Sequence, residues 1–207
     1  MPKVKTKKRL TKSQMRVAIA KDVISQINSK KLIPTPGVWI CDPKMGGLDQ
    51  HIDNLIDEAM DDSKNDTCNF TEFNARDFTK KVNRCEVCAL GSIFVSSVNL
   101  YNGVHFENGD EALESFNDLS LSPLSKYFSE ESLALIECCF EGEEGAHYNS
   151  ASEEEFAIGI AYNRSFRSSK ERLIAIMKNI VRNKGDFIPE QDLTKENIIK
   201  HLSSMII

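Results

Sequence analysis

The sequence predicts a mainly α fold: a single compact helical domain of seven or eight helices, with at most a small hairpin. Three observations carry that prediction. Apolar residues recur at helical spacing in one segment after another, the alternation typical of strands is almost missing, and Ser or Thr caps mark the helix starts. A chain of 207 residues is long enough to bury one sizeable core, and no solenoid-type repeat divides it.

The elements follow in order. Lys3, Lys5, Lys7, Lys8 and Arg9 make residues 1–10 a basic flexible arm, and the helical domain takes in 11–207. Thr11 with Gln14 forms a capping-box pattern, and Met15, Ile19, Val23 and Ile27 recur every fourth residue, so the first helix is expected from about Lys12 to Ser29. Pro34 and Pro36 forbid its continuation, and Gly37-Val-Trp-Ile40 reads as a short extended piece bringing the single tryptophan to the core. A second helix is expected after Gly46-Gly47, with Leu48, Ile52, Leu55, Ile56 and Met60 on one face. From Val87 to Val98 the chain is apolar on nearly every residue and lacks proline, which favours a helix buried all round over a strand. Ala89 and Gly91 would let a neighbouring backbone come close there. Asn102-Gly103 and Asn108-Gly109 bracket Val104-His-Phe106 as a turn or small hairpin.

Farther along, Ser122-Pro123 and Ser129 with Glu130 and Glu131 mark two helix starts. Leu133, Ile136 and Phe140 follow the second at helical spacing, and Gly142 offers a stop. Ser152 with Glu155 repeats the capping box ahead of Phe156 and Ile160. Ser168-Ser169 precede the most regular amphipathic stretch, Leu173, Ile174, Ile176, Met177, Ile180 and Val181, which Gly185 closes. Thr194 opens a last helix through Ile198, Ile199, Leu202 and Ile206.

Composition narrows the function classes. Charged residues at 28% and aromatics at 8% describe a soluble globular protein rather than a low-complexity tail. No run has the length of a membrane span, and Arg16, Lys21 and Asp22 interrupt Met15–Ile27, so no signal-type apolar stretch follows the basic start. A cytoplasmic protein with no membrane contact is expected. Six cysteines, two of them adjacent at 138 and 139, then read as reduced thiols used as small apolar residues. Charge is uneven: the arm is basic, while 57–66 and 141–155 are acidic. Such an arm can gather phosphates by counterion release, but an acidic body repels the same partner, so nucleic acid is not the expected ligand.

Candidate sites were weighed by the chemistry their spacing allows. Cys85-x-x-Cys88 is half of a zinc knuckle, and Cys41, Cys68, Cys138 and Cys139 do not supply the other half. A thioredoxin-type pair needs a strand before it and a parallel sheet around it, which the pattern does not predict; two core cysteines on a buried helix are expected, with no metal. From Asp61, oxygen-bearing Ser63, Asn65, Thr67 and Asn69 fall at the odd positions of a calcium loop, with Glu72 twelfth. Asp66 stands where that loop needs glycine and Cys68 where it needs a branched apolar residue, so a plain acidic loop is expected. The best anion candidate is Tyr162 through Ser169: Arg164 and Arg167 as planar forks for phosphate, Ser168 and Ser169 at a helix N-terminus, and Tyr162 to stack on a base. Phosphate-loop, dinucleotide, nucleophile-elbow and zinc-protease motifs are absent from the sequence. His51, His105, His147 and His201 are scattered; His147, near Glu143 and Glu144, reads as part of an exposed polar loop.

Three blocks resemble segments of uncharacterised bacteriophage and bacterial proteins that carry a small-residue Cys-Ala-x-Gly helix. They are Cys85-Glu-Val-Cys-Ala-Leu-Gly-Ser, Leu135-Ile-Glu-Cys-Cys-Phe-Glu141 and Arg172-Leu-Ile-Ala-Ile-Met-Lys-Asn-Ile-Val-Arg-Asn-Lys-Gly-Asp-Phe187. The resemblance would run from about the first helix to about Pro189 and brings no activity with it. It implies a phage or mobile-element accessory protein acting in a bacterial cytoplasm. The expectation is therefore a non-enzymatic protein, without cofactor, that binds a host factor: an anti-defence protein occupying a host protein or sequestering a small phosphorylated nucleotide signal. The competing expectation is an enzyme with a dispersed, nucleotide-directed active site.

Overall fold

Helix α1 (Lys12–Asn28) begins at the predicted capping box. In the computed structural model, which describes residues 10–38, 40–42, 46–47, 84–101, 124–142 and 152–193, the Gln14 amide donates to Thr11 Oγ1 at 3.2 Å. Gln14 Oε1 accepts from the Thr11 N–H at 3.0 Å, so two amide donors of the first turn are satisfied reciprocally. Ile19, Ala20, Val23 and Ile27 form its buried stripe. After Ser29 the chain turns through Lys30 (φ 61°) into strand β1 (Leu32–Pro34).

A small mixed sheet is the main departure from the predicted architecture, which allowed at most a hairpin. Strands β1, β2 (Ile40–Asp42), β3 (Gly46–Gly47) and β4 (Cys85–Val87) assemble in the order β1-β4-β2-β3. The β1 and β4 strands are parallel, with Leu32 opposite Cys85 and Pro34 opposite Val87. Strand β2 pairs antiparallel with both β4 and β3. Cys85 and Cys88 were expected together on a buried helix; Cys85–Val87 is instead a strand, and Cys88 stands between it and the helix. Three residues are too few to show a period of two, and their β1 partner lies far back in the sequence, so no local signal marks the pairing. Pro34 is tolerated because β1 is an edge strand.

Helix α2 (Ala89–Tyr101) starts one residue after β4, and every residue from Ala89 to Val98 is buried. It packs between α1 and α3 (Glu130–Glu141). Its serines are satisfied where they stand: Ser92 Oγ donates to Ala89 O, Ser97 Oγ to Phe94 O, and Ser96 Oγ accepts from Gln26 Nε2 of α1 at 3.0 Å. Helix α3 packs on α4 (Glu153–Arg164), which starts at the second predicted capping box. The two approach closely at Gly159, where a Cβ would stand 2.7 Å from Cys138 Cβ. The helix expected from Ser122-Pro123 amounts, among the described residues, to a turn over 124–127 held by Leu124 O.

Helix α5 (Ser169–Arg182) lies antiparallel against α1. Ser13 Oγ donates to Lys184 O at 2.7 Å at one end of the pair, and Ser169 Oγ donates to Pro34 O at 2.8 Å at the other. Beyond α5 the chain folds back as a strap over 186–193 that contains a 3-10 turn (Pro189–Gln191). The expected helices at 48–60 and 194–206, the hairpin at 102–109, Trp39, the arm residues 1–9 and the 61–72 loop lie outside the described residues. Among the described residues the fold is mainly helical, and no helix is long and apolar enough to cross a membrane.

Gly185 ties α5 to α1. Its φ of 112° lies in the left-handed region, its N–H donates to Ile180 O at 2.8 Å, and a Cβ there would meet Ser13 O at 2.8 Å. Gly185→Ala is therefore expected to destabilise the protein by about 2 kcal/mol, since strain and a backbone clash act together. Urea unfolding of the variant against the parent checks it; an unchanged midpoint would contradict the close approach.

Candidate functional site

The elbow between α4 and α5 presents part of the predicted anion site and hides the rest. Tyr162 is fully buried, its ring packed 5.0 Å from Phe166 and 5.8 Å from Phe187, centroid to centroid. Its hydroxyl donates to Asp192 Oδ2 at 3.0 Å, and burial, with the Asp192 charge beside it, pushes the phenol far above its ordinary range. The ring expected to stack on a base is a core residue, turned inward because α4 needs it under the strap. Arg164 and Arg167 are exposed. Ser168 caps α5 by accepting from the Glu171 N–H at 3.2 Å, the Arg167 N–H donates to Glu171 Oε2 at 3.3 Å, and the Ser169 hydroxyl is spent on Pro34 O. The elbow thus has two exposed arginines flanking a helix start whose hydroxyls are already engaged.

Asp192 is the centre of a node that sequence reasoning missed. Besides Tyr162, it accepts from Asn179 Nδ2 at 2.7 Å and from Arg182 at 2.7 Å. Asn179 is fully buried; its Nδ2 also donates to Ile188 O, and its Oδ1 accepts from the Ile188 and Asn183 nitrogens. Every polar atom of that side chain is used, so the node fastens the strap rather than waiting for a ligand. The signal was present in the sequence: an Asn flanked at helical spacing by Ile176, Met177 and Ile180 is a polar residue on a core face.

The second polar cluster lies where β4 runs into α2. Cys88 stands just ahead of the helix, its sulfur accepting from the Gly91 N–H at 3.3 Å. A helix N-terminus favours a thiolate, but burial outweighs it: the thiol is pushed up to about 12, with Glu141 and Glu137 of α3 adding to the rise. Burial also raises Cys139 and Cys138. Glu137 is pushed up to about 8 by burial and by Glu141 one turn along, and its Oε2 has no hydrogen-bond partner among the described residues. Glu141 accepts from the Gly37 N–H at 2.8 Å. Arg172 of α5 donates to Phe140 O, lies 5.5 Å over the Phe140 ring and is lowered by burial, against the pull of Glu141.

This arrangement revises the Cys-x-x-Cys motif. A strand does precede Cys88 and does run parallel to a neighbour, contrary to expectation. The two cysteines stand at opposite ends of that strand, and three extended steps put their Cα atoms roughly 10 Å apart, beyond disulfide reach. Cys85, Cys88, Cys138 and Cys139 are free and buried, and among the described residues no three His, Cys, Asp or Glu side chains gather as a metal site. Burial raises Cys88, Cys138 and Cys139, so these three thiols keep their protons at neutral pH.

What the described surface offers is separated charge. The α3–α4 pair exposes Glu130, Glu131 and Glu154, with Arg164 at the end of α4. Helices α1 and α5 carry Lys12, Arg16, Lys21, Lys170, Arg172, Lys178 and Arg182 against Asp22 and Glu171. Contacts run from α1 to α5, from α5 to α3 and from α3 to α4, so the acidic and basic pairs take opposite ends of the row. Comparison with protein-family models, curated proteins and solved structures returned no match.

Glu137 gives stability a pH dependence of known sign. Unfolded, the carboxyl titrates near 4.5; folded, it keeps its proton to about 8. Between those values the unfolded chain has released a proton that the folded chain holds, so stability falls as pH rises, by an amount on the order of 4 kcal/mol. Chemical denaturation at pH 5 and pH 8 measures the fall, and Glu137→Gln is expected to remove most of it. An equal slope in parent and variant would place that carboxyl in ordinary solvent.

Proposed function

We propose that this chain is a non-enzymatic accessory protein of phage type that acts in a bacterial cytoplasm by occupying a host protein, with defence factors as the natural targets. The observation that carries this reading is the carboxylate-rich α3–α4 pair, where Glu130, Glu131 and Glu154 are exposed with almost no compensating cation. Such a face is complementary to a basic groove on a partner, and charge of one sign speeds encounter and rejects partners of like charge. The buried, protonated thiols support binding over covalent chemistry.

Sequestering a phosphorylated nucleotide has weaker support. Arg164 and Arg167 would still supply forks for phosphate, with Ser168 and Ser169 at the helix start, but Tyr162 is committed to the core. The two branches separate in one assay. In bacteria whose defence system restricts a phage, expression of the chain is expected to restore plaques. Glu130→Gln, Glu131→Gln and Glu154→Gln together should reduce that rescue at least tenfold, with a melting temperature within a few degrees of the parent. Loss of rescue in Arg164→Ala with Arg167→Ala, but not in the glutamine variant, would move the reading to the nucleotide. Turnover of nucleotides by purified protein would replace both with an enzyme.

A further inference from the structure

We propose that the C-terminal turn of α3 is a proton-operated catch on the entry of α2. With Glu137 neutral, Glu141 holds the turn at Gly37; ionisation of Glu137 opens that seam and lets solvent reach Cys88. Glu137 and Glu141 stand one helical turn apart on α3, a spacing that puts their side chains on the same face. Glu141 accepts from the Gly37 N–H at 2.8 Å, and two residues earlier the Thr35 N–H donates to Val87 O at 2.9 Å. The short turn between β1 and β2 therefore bridges the end of α3 to the residue just ahead of Cys88. Glu137 Oε2 is closed off from water and has no hydrogen-bond partner among the described residues.

The groups around Glu137 leave its charge unbalanced. On its own helix, Glu141 repels it. At the α2 entry, Cys88 is a neutral thiol whose ionisation both carboxyls oppose. On α4, Glu155 is a further acid acting on the same stretch of α3 through Cys138, and its carboxylate is taken by the Ser152 cap. On α5, Arg172 is the nearby cation, but its guanidinium donates to Phe140 O, lies over the Phe140 ring and feels the charge of Glu141. An anion at Glu137 Oε2 would therefore be buried with neither cation nor donor, which costs far more than a neutral carboxyl in the same place.

The helix end gives before the whole fold does. Its last turn is fastened at one carbonyl, Phe140 O, which accepts from both Arg172 and Asn163 Nδ2, and a terminal turn opens at a lower free energy than the chain unfolds. The middle of α3 is held separately, by the close approach of Gly159 of α4 to Cys138. The sign follows from the proton. An open form releases it near the ordinary 4.5 and the closed form keeps it to about 8, so the open population rises with pH between those values.

The test is a pulse of N-ethylmaleimide on the full chain between pH 6 and pH 8, read at each cysteine by peptide mass spectrometry. Dividing by the rate for glutathione at the same pH removes the thiolate fraction. The corrected Cys88 rate should rise about 50-fold over that range, because the open form gains on the closed one about tenfold per pH unit until Glu137 ionises in the closed form too. Cys139, on the side of α3 that faces Asp192 and the strap, should label roughly tenfold more slowly than Cys88 at pH 8. Glu137→Gln should flatten the Cys88 profile, and Glu141→Gln should reduce the rise without abolishing it, since burial is the larger cause. A flat Cys88 profile in the parent would overturn the proposal, as would an equal rise in Glu137→Gln. Equal rates at Cys88 and Cys139 would overturn it as well, because the opening would then be unfolding of the whole chain.

Discussion

Enclosing helix α2 is the constraint on which the rest of the structure depends. A helix buried from Ala89 through Val98 has no face to give to water, so every side of it must be covered by another element. Covering it with α1 and α3 moves side chains such as Ile93, Phe94 and Val98 wholly out of solvent, each gaining about 1.5–3 kcal/mol. Its first turn is the awkward end, because free N–H groups there are buried too. Cys88 meets the need: its carbonyl accepts from Ser92 and its sulfur from Gly91, while β4 anchors the entering chain by pairing on both sides. The sheet is small because it has only to hold that entry.

The same burial decides the chemistry around it. A thiol at a helix N-terminus, with a carboxyl and a guanidinium nearby, has the composition of a nucleophilic site, and desolvation cancels it: Cys88 and Glu137 both keep their protons at neutral pH. The carboxyls of α3 reinforce that outcome, since an anion next to a thiol opposes its ionisation. Polar groups the core cannot expose are instead turned into fasteners, most fully at Asn179 and Asp192, where Tyr162 and Arg182 converge to hold the strap. What is left for recognition lies on the outer faces of the helices, and there the charge is separated by sign.

How much of this was legible in the sequence depends on the range of the signal. Caps are local, so Thr11–Gln14 and Ser152–Glu155 marked two helix starts to the residue, and the stripe at Leu173, Ile176, Met177 and Ile180 identified the buried side of α5. Parallel pairing is non-local: nothing near Leu32 announces Cys85 as its partner, so a three-residue strand passed for part of a buried helix. Tyr162 shows a different limit. Next to arginines and a helix start it reads as a ligand contact, and only the strap folding back with Phe187 and Asp192 turns it into core. Arg164, the last residue of α4, and Arg167, in the link to α5, are exposed.

Net charge misleads for a related reason. Summed over the chain it is a scalar, and it makes the acidic residues appear to surround the basic ones. Helix order adds what the sum hides: α1 and α5, far apart in sequence, are brought together by Ser13–Lys184 and Ser169–Pro34, and the lysines of two separate segments come with them. The glutamates of α3 and α4 are brought together in the same way by the packing of those two helices. Screening at physiological salt limits each exposed charge to a neighbourhood of about 8 Å, so its local setting counts for more than the sum. A net charge of −5 therefore says little about the potential at any one helix, because at such distances what counts is the few charges packed beside it.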